Sequence, residues 1–93
     1  MNKLVEYEIR DGVAVVTLAN PPVNALGAGV RQGIVEAIDR AAGDGSLEAV
    51  VLTGAERCFS GGADIREFGR PPVEPQLPAV IAAIETCAKP VVA

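Results

Sequence analysis

Ten consecutive residues, Phe59-Ser60-Gly61-Gly62-Ala63-Asp64-Ile65-Arg66-Glu67-Phe68, have the types and spacing best suited to chemistry. They follow an apolar run with the composition of a strand, Ala49-Val50-Val51-Leu52, and read as the start of a helix. A strand, a glycine-rich turn and a helix start together hold bare backbone N–H groups in one direction. Such donors bind negative charge, including the charge that develops on a carbonyl oxygen during reaction. Gly61 and Gly62 let the chain bend sharply and keep side chains out of a ligand's way. The candidate donors are the N–H groups of Gly62, Ala63 and Asp64. One donor aimed at a thioester or ester carbonyl makes half an oxyanion hole, and losing it costs on the order of 3 kcal/mol.

The side chains of this segment have simpler readings. Asp64 and Glu67 have the spacing of a capping box, with Asp in the place of Ser or Thr, and capping is favoured over acid–base catalysis for both. Ile65 and Phe68 are expected as core contacts of a short helix. Ser60 cannot belong to a Ser-His-Asp nucleophile within this polypeptide, which has no histidine. A phosphate-binding loop of the GxxxxGK[ST] type is also absent, and no lysine lies near.

The elements that must position this segment are legible on both sides of it. Val5-Glu6-Tyr7-Glu8-Ile9-Arg10 alternates as a half-exposed strand, Asp11-Gly12 supplies a hairpin turn, and Val13-Ala14-Val15-Val16-Thr17-Leu18 reads as a more completely buried strand. Two prolines in Asn20-Pro21-Pro22-Val23-Asn24 end the sheet there. Val30, Ile34, Ala37, Ile38 and Ala41 recur at helical spacing, and Gly43-Asp44-Gly45 ends that helix. Gly27, Gly29 and Gly33 weaken it, an interior glycine costing roughly 1 kcal/mol against Ala, so the helix should depend on packing against the sheet. After the loop Gly69-Arg70-Pro71-Pro72-Val73-Glu74-Pro75, Pro78 suits the first turn of a second helix. Val80, Ile81, Ile84 and Cys87 form its apolar side, Lys89-Pro90 ends it, and Val91-Val92-Ala93 begins a strand. The order β-β-α-β-α-α-β is an α/β pattern with helical crossovers.

Composition narrows the partners. Eight basic and twelve acidic residues give a formal charge of −4, with no basic stripe to neutralise nucleic-acid phosphates. No apolar run approaches the ~20 residues that span a bilayer. Cys58 and Cys87 lack CxxC spacing and a histidine partner, so a zinc site is disfavoured and reduced thiols in a cytoplasmic protein are expected. The first residues carry no long apolar signal stretch.

Three blocks, Asn20-Pro21-Pro22-Val23-Asn24-Ala25-Leu26, then Phe59-Ser60-Gly61-Gly62-Ala63-Asp64-Ile65, then Lys89-Pro90-Val91-Val92-Ala93, together resemble the enoyl-CoA hydratase/isomerase (crotonase) family. The Pro-Pro-Val-Asn-Ala form looks most like the N-terminal hydratase/isomerase part of multifunctional fatty-acid oxidation proteins, in which a dehydrogenase part, NAD-dependent, follows in the same polypeptide. The resemblance covers essentially the whole chain and implies the N-terminal portion of one crotonase-type α/β domain over residues 1–93. It implies that the Ala63 N–H is one of two donors to an acyl-thioester oxygen, stabilising an enolate-like state. Gly61, Gly62, Ala63, Asp64 and Ile65 would line the CoA and acyl channel, and Val23, Asn24 and Ala25 the loop beside the CoA moiety. An Asx-type turn at Asn24 is compatible with the same placement. Pro21 stands where many members carry a basic residue; Arg57, Arg66 and Arg70 are substitutes for a phosphate contact, or solvated surface arginines.

The implied substrate is an enoyl-CoA that brings its own coenzyme A, with no metal or redox cofactor needed by this part. The family's second oxyanion donor and catalytic glutamates lie past the strand at Lys89-Pro90, so the 93 residues alone are expected to be inactive and to self-associate or join the rest of a parent chain. A non-catalytic acyl-CoA-binding or self-associating module is the alternative.

Overall fold

The computed structural model describes residues 4–21, 24–55, 60, 62, 64–87 and 89–92, including the backbone but not the side chain of Ile65. Strands β1 (Val5–Arg10) and β2 (Val13–Leu18) form the expected antiparallel hairpin, with Val5 opposite Leu18 and Arg10 opposite Val13. Asp11 and Gly12 both take positive φ, 50° and 79°, as a two-residue turn matched to strand twist requires. Helix α1 (Ala28–Ala42) then crosses to β3 (Ala49–Gly54), which lies parallel to β2 from the pair Val13–Ala49 to the pair Leu18–Gly54. A 3₁₀ turn (Ile65–Glu67) and helix α2 (Leu77–Glu85) lead to β4 (Val91–Val92), parallel to β3, and the strand order is β1-β2-β3-β4.

One face of the sheet makes the core. Ala14, Val16 and Leu18 of β2 and Val50 and Leu52 of β3 point to the same side and are buried, facing Val30, Ile34, Ala37, Ile38 and Ala41 of α1. The small side chains let α1 lie close on the strands, and each buried Val or Ile contributes roughly 1.5–3 kcal/mol of apolar burial. Burial in β2 alternates strictly, although its apolar run suggested a strand covered more completely. Val13, Val15 and Thr17 stay half-buried on the opposite face. An unbroken apolar run marks a strand covered on both faces, and here only one face is closed by a helix.

The two helix ends show what local sequence controls. α1 stops at Ala42, where Gly43 N–H returns to Asp39 O at 3.2 Å and Asp44 Oδ1 accepts from Ser46 N and Oγ. α2 ends at Glu85, earlier than Lys89-Pro90 suggested, with Thr86 Oγ1 donating to Ala82 O at 2.7 Å. Only Val80 of α2 is buried, and Ile81 is 47% exposed although it was expected on the apolar side. One residue along a helix is a rotation of about 100°, which turns Ile81 away from the stripe that carries Val80 and Ile84. Cys87 lies beyond the helix and half-buried against the core.

Candidate active site

The described residues of the two segments singled out in the sequence, 20, 21 and 24–26 of the first and 60, 62 and 64–68 of the second, meet beyond the carboxyl ends of β2 and β3. In open α/β sheets this is the end at which ligands bind. Two bonds join the segments directly. Leu26 N–H donates to Gly62 O at 2.7 Å, and Ser60 Oγ donates to Asn24 O at 2.8 Å while accepting Gly62 N–H at 3.0 Å. Gly62 has φ +99°, a conformation open to glycine and strained for other residues.

The loop before α1 is braced from within by two asparagines. Asn24 is buried with φ 51°, and its Oδ1 accepts from Asn20 N at 2.8 Å, while Asn20 Nδ2 donates to Ala25 O at 3.1 Å. The Asn24 side chain thus reaches back four residues, a bond that differs from the forward one that defines an Asx turn. Of the predicted site residues, Asn24, Ala25, Gly62 and Asp64 are brought together here, with Ile65 opening the 3₁₀ turn. Val23, Gly61 and Ala63 lie outside the described residues, as do Arg57, Cys58 and Phe59.

Asp64 and Glu67 both cap, but not each other's helix. Asp64 Oδ1 accepts Arg66 N–H at 3.0 Å, capping the 3₁₀ turn, and its two oxygens hold the Arg66 guanidinium at 2.7–3.2 Å. These bonds from Arg66 hold the Asp64 carboxyl down at about 2. Glu67 does not return to Asp64 as a capping box requires. Its Oε2 accepts Ala28 N–H at 2.8 Å, at the head of α1, and its Oε1 accepts from Arg31 Nη1 at 3.0 Å. The Ala28 N–H first, and then Arg31, lower the Glu67 pKa. α1 has no side-chain cap of its own at Gly27, so Glu67 supplies it from 39 residues away. Gly27 makes room: a Cβ there would sit 3.0 Å from Asp64 Oδ2 and 3.1 Å from Glu67 Oε2.

Arg31 is the functional candidate that sequence reasoning missed. It is buried, and its guanidinium donates to Leu26 O at 2.7 Å, Glu67 Oε1 at 3.0 Å, Val73 O at 3.0 Å and Pro75 O at 2.5 Å. The signal was present in the sequence: Arg31 shares a helical face with Ile34 and Ile38, near an N-terminus where a cation is unfavourable. Phe68, expected in the core, is 69% exposed. A three-residue 3₁₀ turn is too short to present a buried face, and Gly69 at φ +78° then redirects the chain.

Two cavities adjoin this assembly. One, of about 220 Å³, is bounded by Leu26, Asp64, Glu67, Phe68 and Leu77, among others. The second, of about 270 Å³, is lined by Leu18, Arg31, Ile34, Leu52, Val80 and Ile84, among others. No helix among the described residues is long and apolar enough to cross a membrane.

Two loops joined over the carboxyl ends of parallel strands define an α/β protein with a ligand-binding end, and comparison with known proteins gives the family. The enoyl-CoA hydratase/isomerase family model matches residues 8–93. The peroxisomal bifunctional enzyme of Danio rerio is 47% identical over 91 residues, which are 97% of this chain and 13% of that protein. The peroxisomal fatty acid beta-oxidation multifunctional protein MFP2 of Arabidopsis thaliana is 48% identical over 59 residues, 63% of this chain and 8% of that protein. Among solved structures, an enoyl-CoA hydratase of Mycobacterium marinum superposes with a TM-score of 0.84 at 25% identity, over 95% of this chain and 46% of that one. An enoyl-CoA hydratase/carnithine racemase of Magnetospirillum magneticum gives 0.82 at 30% identity, over 98% and 38%. The chain belongs to the enoyl-CoA hydratase/isomerase family, and its fold is the N-terminal part of the crotonase fold. It spans about an eighth of the length of the Danio rerio relative.

Proposed function

We propose that this chain supplies the acyl-CoA-binding half of an enoyl-CoA hydratase/isomerase site, in a protein of fatty-acid β-oxidation. The observation that carries the reading is the junction of the two loops, Leu26 N–H to Gly62 O and Ser60 Oγ to Asn24 O, between segments 36 residues apart. It anchors Gly62, the residue before Ala63, whose N–H is the proposed donor to the thioester oxygen. Val23, Asn24, Ala25, Gly61, Gly62, Asp64 and Ile65 are the proposed lining. A hydrogen bond to that oxygen lowers the energy of an enolate-like state, whether water adds to the double bond of a trans-2-enoyl-CoA or the double bond shifts.

In this reading coenzyme A arrives with the substrate, these residues need no metal or redox group, and an NAD-dependent dehydrogenase is the expected companion in a multifunctional parent. The cytoplasm is the proposed compartment, supported by the free thiol of Cys87, although the two relatives described above carry peroxisomal names; imaging a tagged full-length protein separates the two. The apolar surface formed by Phe68, Leu77 and Ile81 is proposed as a contact between copies. Calorimetric titration with crotonyl-CoA tests the central reading. Saturable binding is expected, stronger than for free CoA; absence of heat at millimolar thioester contradicts it.

A further inference from the structure

We infer that Arg31 is the positioning residue of this site, its guanidinium holding Gly62 through Leu26 and Asp64 through Glu67. The inference deepens the proposed function and rests on it for the identity of the ligand. A buried guanidinium is retained only where its N–H groups are satisfied. Its four bonds use three backbone carbonyls and one carboxylate, and two of the residues that accept them also hold Gly62 and Asp64. Leu26 gives its carbonyl to Arg31 and its N–H to Gly62 O. Glu67 gives one oxygen to Arg31, and its own N–H donates to Asp64 O at 3.1 Å.

The bonds therefore close a ring, running Gly62, Leu26, Arg31, Glu67, Asp64, and position 63 is the one link between its ends. Loss of the Arg31 contacts would therefore loosen both described neighbours of that position, Gly62 and Asp64, at once. Displacement of a catalytic group by about 1 Å is enough to lose two orders of magnitude in rate. Lysine keeps the charge but lacks the planar fork that serves several acceptors at once. The contacts to Val73 and Pro75 pin the loop before α2 to the same group, so that loop and the turn share one anchor.

The test compares the wild-type chain with Arg31→Lys and Arg31→Met by amide hydrogen exchange and crotonyl-CoA titration. In both variants the Leu26 and Ala28 amides are expected to exchange at least about tenfold faster, while the Glu8 and Val15 amides, paired across the β1–β2 hairpin, keep their protection. Affinity for crotonyl-CoA is expected to fall in Arg31→Lys and further in Arg31→Met. Unchanged protection of Leu26 in a folded variant overturns the inference. Should neither variant fold, the wild-type guanidinium decides: separately resolved, slowly exchanging Nη protons support the ring, and a freely rotating guanidinium overturns it. A wild-type chain that shows the exchange pattern but binds no crotonyl-CoA contradicts the proposed function and leaves Arg31's structural part intact.

Discussion

Gly27 and Gly29 stand two residues apart at the start of α1, yet a methyl group would meet different neighbours at each. At Gly27 it would press on Asp64 Oδ2 and Glu67 Oε2 at 3.0 and 3.1 Å, and both carboxylates are tied down, by Arg66 and by Ala28 and Arg31. At Gly29 it would meet only the end of the Leu4 side chain at 3.0 Å, which can rotate aside. Replacing Gly by Ala raises helix propensity by about 1 kcal/mol and restricts the unfolded chain by about 0.4–1 kcal/mol. Gly29→Ala is accordingly expected to leave stability unchanged or raise it by up to about 1 kcal/mol. Gly27→Ala is expected to lose about 1 kcal/mol net, a fall of about 4–8 °C in Tm, as thermal melts of the two variants would show. The reverse order would mean that the carboxylates are not fixed against Gly27. The sequence shows these glycines as a uniform cost to the helix. It cannot show that one of them is the gap through which two distant carboxylates approach.

The element-scale consequence of those carboxylates is a pH dependence. Asp64 caps the 3₁₀ turn and Glu67 caps α1, and bonds that favour their ionised forms lower both pKa values, Asp64 from 3.8 to about 2 and Glu67 from 4.5. Below the ordinary values the unfolded chain binds protons that the folded chain refuses, so stability falls as pH falls. The contribution is complete above about pH 5 and is lost progressively as pH drops through the folded values toward about 2. Asp44, held low by its bonds from Ser46, adds to the same slope. Denaturant melts across this range should show a shallower fall in Asp64→Asn and Glu67→Gln than in the wild type; identical slopes would mean that neither cap forms. Asp64 and Glu67 were legible as caps from their spacing. Their true partners were not, because a three-residue turn cannot close a box on itself while α1, begun at a glycine, lacks a side-chain cap. The same holds for Arg31, an oddity on an apolar face, three of whose four acceptors lie 36 to 44 residues away.

At the scale of the whole molecule, the hairpin, α1 and β3 fall within a residue or so of where hydrophobic period and turn chemistry place them, while α2 stops several residues short of Lys89-Pro90. Their patterns are strong and local, and the single helix-covered face of the sheet explains why β2 alternates in burial despite its apolar sequence. Exposure was less legible, since it depends on what packs where: Phe68, Leu77 and Ile81 are 69%, 36% and 47% exposed. Apolar side chains gathered this way favour association, and the chain is expected to sediment as a dimer or larger species whose formation Ile81→Lys reduces. A monomer at high concentration would contradict that expectation. The central claim, a backbone N–H aimed at an acyl-thioester oxygen from the turn between Gly62 and Asp64, is most directly tested by infrared spectroscopy of crotonyl-CoA carrying a ¹³C-labelled thioester carbonyl. A donor held in place polarises the C=O bond, so the carbonyl stretch of the bound ligand is expected at lower frequency, with the shift reduced in Arg31→Lys. A saturated complex whose carbonyl stretch stays at its free-solution frequency would contradict it.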